Sequence, residues 1–305
     1  MSLFLKPFAF LLILFGGYAL KRAGLFHEGD HRLVSKIVLN LTMPAAVIHA
    51  FLDFQGQLGL FLGLILVGLV STVLPYLLTF LMTKRVERAR RIFLMVNASG
   101  FNVGCFGMPV IEGFWGASGA AIACMFDIGN SIMVTGGSYA FTSVLLPAEG
   151  TRIGLGAMVK KFLTSVPFDV YMLMLVLTAA GIAIPTPVGT VLEPLAQANS
   201  FAAMLMLGLM IQPPKQRGYL SAAARLILIR LGFSVLFSLL VYFFTPFDLY
   251  VRQILAVLLF APSSVIATVY TEKCGGDPAL AGFTNSITVI IGLIMMSCMS
   301  LLFQS

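Results

Sequence analysis

Gly100-Phe-Asn-Val-Gly-Cys-Phe-Gly-Met-Pro109 lies in the middle of an otherwise apolar run, and its reading decides how the chain folds. Glycine weakens a helix interior by about 1 kcal/mol and proline by about 3. Their clustering here predicts an interrupted helix whose backbone N–H and C=O groups are set free. In hydrocarbon such groups persist only where they are buried in protein or line a watery cavity. A single cluster also serves as a kink that lets packed helices approach closely. What marks this stretch as a binding-site candidate is a second break later in the chain.

Working outward, 59% of the 305 residues are hydrophobic and only 10% are charged, with a mean hydropathy of +0.99. That leaves too little polar surface for a soluble globule. A bilayer core takes about 20 apolar residues per helix, and segmentation on that length gives ten spans: 5–22, 31–52, 57–82, 92–114, 117–146, 163–184, 189–212, 218–244, 250–271 and 279–303. The net charge of +7 reflects membrane orientation and implies no nucleic acid. Basic residues crowd the odd-numbered connections: Lys21, Arg22 and Arg32; Lys84, Arg85, Arg88, Arg90 and Arg91; Arg152, Lys160 and Lys161; Lys215 and Arg217; Lys273. Lys6 and Arg252 mark the other side, while Lys36, Arg225 and Arg230 lie inside or beside spans and read as snorkelling side chains. By the positive-inside rule the odd connections are cytoplasmic and both termini face outward. Cys105, Cys124, Cys274 and Cys298 lack metal-ligand spacing and read as small core residues.

The hydrophilic connection 147–162 divides the chain into residues 1–146 and 163–305, each with five spans. Because five is odd, the second set enters the membrane with opposite orientation, the geometry of an inverted repeat. Span nine supplies the matching break, Phe260-Ala-Pro-Ser-Ser264. Each break is followed by a short helix and then glycine, at Trp115-Gly116 and at Gly275-Gly276. Asn130-Ser-Ile132 echoes Asn285-Ser-Ile287 about one helical turn out of register. The half-helices beginning after the breaks point their N-termini, with roughly half a positive charge and unpaired N–H groups each, toward the membrane centre. Two converging ends suit a carboxylate even without Arg or Lys at either break. The opposing carbonyl ends offer a place for a cation. Asp127, one turn from Asn130, is the clearest ionisable residue within a span, and at that depth it is protonated, paired or functional. No paired carboxylates, histidine cluster or nucleophile constellation points to an enzyme, and no cofactor or metal is expected.

These residues resemble the auxin efflux carrier family of membrane transporters, including its short-loop bacterial members. Leu39-Asn-Leu-Thr-Met-Pro-Ala45 is similar to the family's Asn-x-x-x-Pro-Ala, and Asn102-Val-Gly-Cys-Phe-Gly-Met-Pro109 to its Asn-Thr-x-x-x-Gly-x-Pro. Ala261-Pro-Ser-Ser264, then Tyr270 and Gly275-Gly-Asp-Pro278, resemble its second crossover and the turn after it. The resemblance implies the all-α fold of bile acid sodium symporters: ten transmembrane helices in two inverted five-helix repeats, with helices four and nine broken and crossing. Spans 1, 2, 6 and 7 would form a scaffold, and spans 3–5 and 8–10 an elevator-like core. It also implies transport of organic anions, auxin in plants and dicarboxylates such as malate or malonate in some bacterial relatives. The chain departs from the plant carriers in lacking their long central loop, in Phe101 where they carry proline, and in Val103 where they carry threonine.

The expected function is therefore secondary active transport of a small organic anion in the cell membrane. Expected substrate contacts are Asn102, Val103, Gly104, Pro109, Ala261, Pro262, Ser263, Ser264 and Asn40. Asp127, Asn130 and Asn285 are assigned to ion or proton coupling. The alternative is a sodium- or proton-coupled symporter, or a cation/proton antiporter, built on Asp127. The expected partners are the anion and the lipid bilayer, with a homodimer as the candidate assembly.

Overall fold

The computed structural model describes residues 2–52, 54, 58–147 and 165–304. The expected connection 147–162 falls outside them except at residue 147. Twelve helices occur among the described residues: α1 (Ser2–Arg22), α2 (His31–Ala50), α3 (Leu58–Met82), α4 (Arg88–Ala98), α5 (103–115), α6 (117–145), α7 (Val166–Ala179), α8 (Thr186–Met210), α9 (Tyr219–Phe244), α10 (Leu249–Leu258), α11 (Ile266–Lys273) and α12 (Pro278–Gln304). Five runs are long and apolar enough to cross a membrane: α2, α3, the joined α5–α6 run Val103–Leu145, α9 and α12. α7 and α10 are shorter and apolar. Exposed leucines and phenylalanines recur along α1, α3 and α9, such as Leu12, Leu62, Leu66, Leu228 and Phe243. Those faces suit lipid, since an apolar solvent imposes no cost on them.

Two helix pairs are drawn together backbone to backbone. A Cβ on Gly68 of α3 would lie 2.1 Å from the Phe126 carbonyl oxygen of α6, and one on Gly129 of α6 would lie 1.9 Å from that of Ile65. α1 meets α8 in the same way, since a Cβ on Gly208 would lie 2.1 Å from the Leu14 carbonyl oxygen. In lipid, packing of this kind supplies the association that the hydrophobic effect supplies in water. Between the pairs runs one large apolar cluster that includes Leu14, Val47, Phe106, Phe126, Leu207 and Leu258. Of the cysteines, Cys124 and Cys274 are buried as expected; Cys105 is half-buried and Cys298 exposed, and all four are free.

The helices widen locally at Val38–Thr42, Val103–Gly107 and Met133–Gly137, each a single π-helical turn. Proline explains two of them. Pro44 and Pro109 have no N–H and would clash with the carbonyls four residues back, Asn40 and Cys105, and an extra residue in the preceding turn relieves both problems. At the third, a Cβ on Gly137 would lie 2.6 Å from the Ile132 carbonyl oxygen, so only glycine fits the widened turn. The expected glycine turns are also present: Gly116 separates α5 from α6 at φ 70°, and Gly275 ends α11 at φ 85°.

Candidate functional site

α4 ends at Ala98 and α5 begins at Val103, while α10 ends at Leu258 and α11 begins at Ile266. The two interruptions cross. Phe101 and Ser263 form an antiparallel bridge, and the Asn102 N–H donates to the Pro262 carbonyl at 2.9 Å. Backbone groups that a continuous helix would have satisfied thus partner each other, as an apolar environment demands.

An asparagine from a neighbouring helix completes each break. Asn130 of α6 accepts from the Phe101 N–H and donates to the Phe101 carbonyl, both at 2.9 Å. Asn285 of α12 donates to the Ser263 carbonyl at 2.8 Å. The two asparagines that looked out of register in sequence therefore serve the two residues of the bridge. Their separations from it differ, 29 residues against 22, which is why the sequence echo is imperfect.

The absence of a base at the breaks is corrected by the structure. Arg230 of α9 is 6% exposed. Its Nη1 donates to the carbonyls of Asn97 at 2.9 Å, Gly100 at 3.0 Å and Ala98 at 3.4 Å, and its Nη2 to that of Ala261 at 3.1 Å. The carbonyl ends that the sequence offered to a cation are thus occupied by a guanidinium. Arg225, read as snorkelling alongside it, is indeed exposed. The missed signal is the stripe Arg230, Ser234, Ser238, one helical turn apart and all buried; Ser234 donates to the Leu259 carbonyl at 2.6 Å.

On the other side of the crossing lies a cavity of about 370 Å³. Asn102, Val103, Gly104 and Cys105 line it from the start of α5, and Ser264, Val265 and Ile266 from the start of α11. The first residues of a helix carry N–H groups without intrahelical partners. Residues of all three π turns also reach the wall, as Leu39, Val103 and Thr135, and Tyr270 of α11 donates to the Thr135 carbonyl. The Asn102 side chain is 8% exposed, and its Nδ2 has no hydrogen-bond partner. A buried amide donor left unpaired costs about 1–3 kcal/mol. Asp127 also lines the cavity; its Oδ1 accepts from Asn130 Nδ2 at 2.6 Å and its Oδ2 from the Tyr171 hydroxyl of α7 at 2.9 Å.

Of the expected contacts, Asn102, Val103, Gly104 and Ser264 are brought together at the cavity. Ala261, Pro262 and Ser263 instead form the crossing segment: Ser263 Oγ sits 3.0 Å from Thr288 Oγ1, and Ala261 and Pro262 lie on the Arg230 side. Pro109 is buried within α5 behind the cavity. Asn40 is exposed and donates to its own helix, at the Lys36 carbonyl, because the π turn carries Leu39 and Met43 to the cavity instead. Asp127 and Asn130 meet at the first break, while Asn285 stands apart from them at the second. Tyr171 and Thr288 have no place in the sequence analysis, and Arg230 appears there only as a snorkelling side chain.

Helices broken and crossed within apolar runs, beside a cavity with a few convergent polar groups, are features found in membrane transporters. The family whose description is "Membrane transport protein", that of the auxin efflux carriers, matches residues 5–149. The chain is also 25% identical over 205 residues to an uncharacterized transporter of Methanothermobacter thermautotrophicus, a match covering 65% of this chain and 65% of that protein's length. The match spans just under two thirds of that relative, and with its long apolar helices the chain is similar to integral membrane transporters.

Proposed function

We propose that the protein is a secondary active carrier of a small organic anion, a mono- or dicarboxylate, held at the crossover and moved by alternating access. The observation that carries this reading is Asn102, a residue of the cavity wall at the start of a half-helix, whose buried Nδ2 donor has no protein partner. A helix N-terminus attracts an anion by about 0.3–1 kcal/mol, up to about 2 in buried geometry. A hydrogen bond to a charged group adds about 1.5–3. Together these support micromolar to millimolar binding after ordering costs. In this reading α4 with α5, and α10 with α11, are the broken fourth and ninth helices of ten spans in two inverted repeats. Spans 1, 2, 6 and 7 stay as scaffold while the rest moves, and both termini face outward across the cell membrane. Uptake of labelled acetate, malonate, malate and indole-3-acetate into proteoliposomes, with and without sodium and proton gradients, tests it; a protein that moves none of them under any gradient is no such carrier.

A second reading is favoured by one bond. Tyr171 of the scaffold donates to Asp127 of the core, so a proton arriving at Asp127 would change the contact across which the two parts move. On this reading Asp127→Asn abolishes accumulation driven by a pH gradient and leaves substrate exchange intact. Gradient-driven uptake equal to that of the parent would assign Asp127 to structure alone.

A further inference from the structure

Arg230 is a buried cation without a counterion among the described residues. Among the described residues the sole ion pair is His27 with Asp30, and the guanidinium is surrounded by four backbone carbonyls and the Phe101 ring, 5.2 Å away at its centroid. Carbonyls at helix C-termini carry partial negative charge, and Asn97, Ala98 and Ala261 lie at or just past the ends of α4 and α10. They solvate the cation but carry no full negative charge, so a negative charge across the break, the Asp127 carboxyl or a bound anion, would stabilise it further. The geometry says where that charge would be. The guanidinium holds the break from behind, and one residue separates it from the cavity: Phe101, whose ring faces Arg230 and which also lines the cavity.

A lysine could not do the same. One ammonium is a compact point charge, whereas the planar fork of arginine spans acceptors belonging to two different helices. The arrangement therefore combines a mechanical task, clamping the two crossed segments together, with an electrostatic one.

We propose that Arg230 is the fixed positive charge answered by the transported anion, and the positioning residue that keeps Asn102 and the start of α5 presented to it. Resting on the anion reading, this adds the positive charge that the cavity wall lacks: among the described residues no Lys, Arg or His lines the cavity, and its one acidic residue, Asp127, already accepts from Asn130 and Tyr171. Arg230 does not touch the ligand; it acts through the backbone of residues 97–101 and the field across Phe101.

The test uses the full chain in proteoliposomes and labelled acetate, malonate, malate and indole-3-acetate. For whichever of these the wild-type protein takes up, Arg230→Lys is expected to raise KM about tenfold or more while leaving the maximal rate within about twofold. Arg230→Ala is expected to lose uptake and regain it on addition of guanidinium at about 10 mM, but not of urea, a neutral molecule of the same shape. A parental KM in Arg230→Lys sinks the role of Arg230 and leaves the anion reading standing. Equal rescue by urea removes the charge from the proposal and overturns it. Wild-type protein that takes up none of the four probes removes the anion reading and this inference together. Should Arg230→Ala not yield folded protein, the KM of Arg230→Lys decides.

Discussion

The two breaks solve one backbone problem and then diverge. Each has an extended residue in the bridge, Phe101 or Ser263, and each is served by an asparagine from the helix packed beside it. At the second break the polar groups satisfy one another: Asn285 reaches both the Ser263 carbonyl and its Oγ, and Thr288 takes the same hydroxyl. At the first they do not. Three residues before Asn130 stands Asp127, whereas three residues before Asn285 stands Gly282, and the Asn102 amide points at no protein acceptor. The second break is complete in itself; at the first, the Asn102 amide lacks an acceptor and a carboxylate, Asp127, is held by Asn130 and Tyr171.

The comparison can be broken at its supports. Asn130→Ala is expected to have the largest effect, because it strands the Phe101 N–H, the Phe101 carbonyl and one oxygen of Asp127, all buried. At about 1–3 kcal/mol for each unpaired group, most of the folded protein should be lost, measured as the monodisperse fraction in detergent and the unfolding temperature. Asn285→Ala strands one carbonyl whose neighbours can rearrange, so a loss of about 1–3 kcal/mol is expected, with folded protein recovered. Equal damage from both would mean that the breaks carry equal loads and that the asymmetry is superficial. The smallest expected change in stability is that of Asn102→Ala. Its Nδ2 has no partner to lose, so the unfolding temperature should stay level or rise, while on the proposed anion reading affinity for a carboxylate substrate falls about tenfold with one charge-assisted bond. A clear drop in stability would show that Asn102 braces the crossing instead of awaiting a ligand.

Much of this was legible in the sequence because glycine, proline and asparagine are conspicuous in apolar runs. The Gly100–Pro109 cluster and Pro262 mark both interruptions, and Gly116 and Gly275 mark the turns after them. What escaped depends on contacts distant in sequence. Arg230 lies more than 130 residues from Asn97, and a basic residue in an apolar helix reads as snorkelling until its carbonyl partners are seen. Tyr171 is one aromatic residue in an apolar run, with nothing local to tie it to Asp127. Asn40 illustrates the converse error: the motif was noticed, but one extra residue in the turn before Pro44 moves which side chains face inward, and side-chain spacing alone carries no record of that.

The glycine seams have a mechanical consequence. Where α3 meets α6, and α1 meets α8, backbone touches backbone, and no side chain is available to change rotamer and absorb a displacement. Any slide within either pair meets hard-core repulsion at once. Across the cavity between them the wall includes Met43, Met206 and Met210, unbranched side chains that re-pack at small cost. The molecule is thus stiff along two ribs and compliant along the wall that separates them, and the cavity lies in the compliant part.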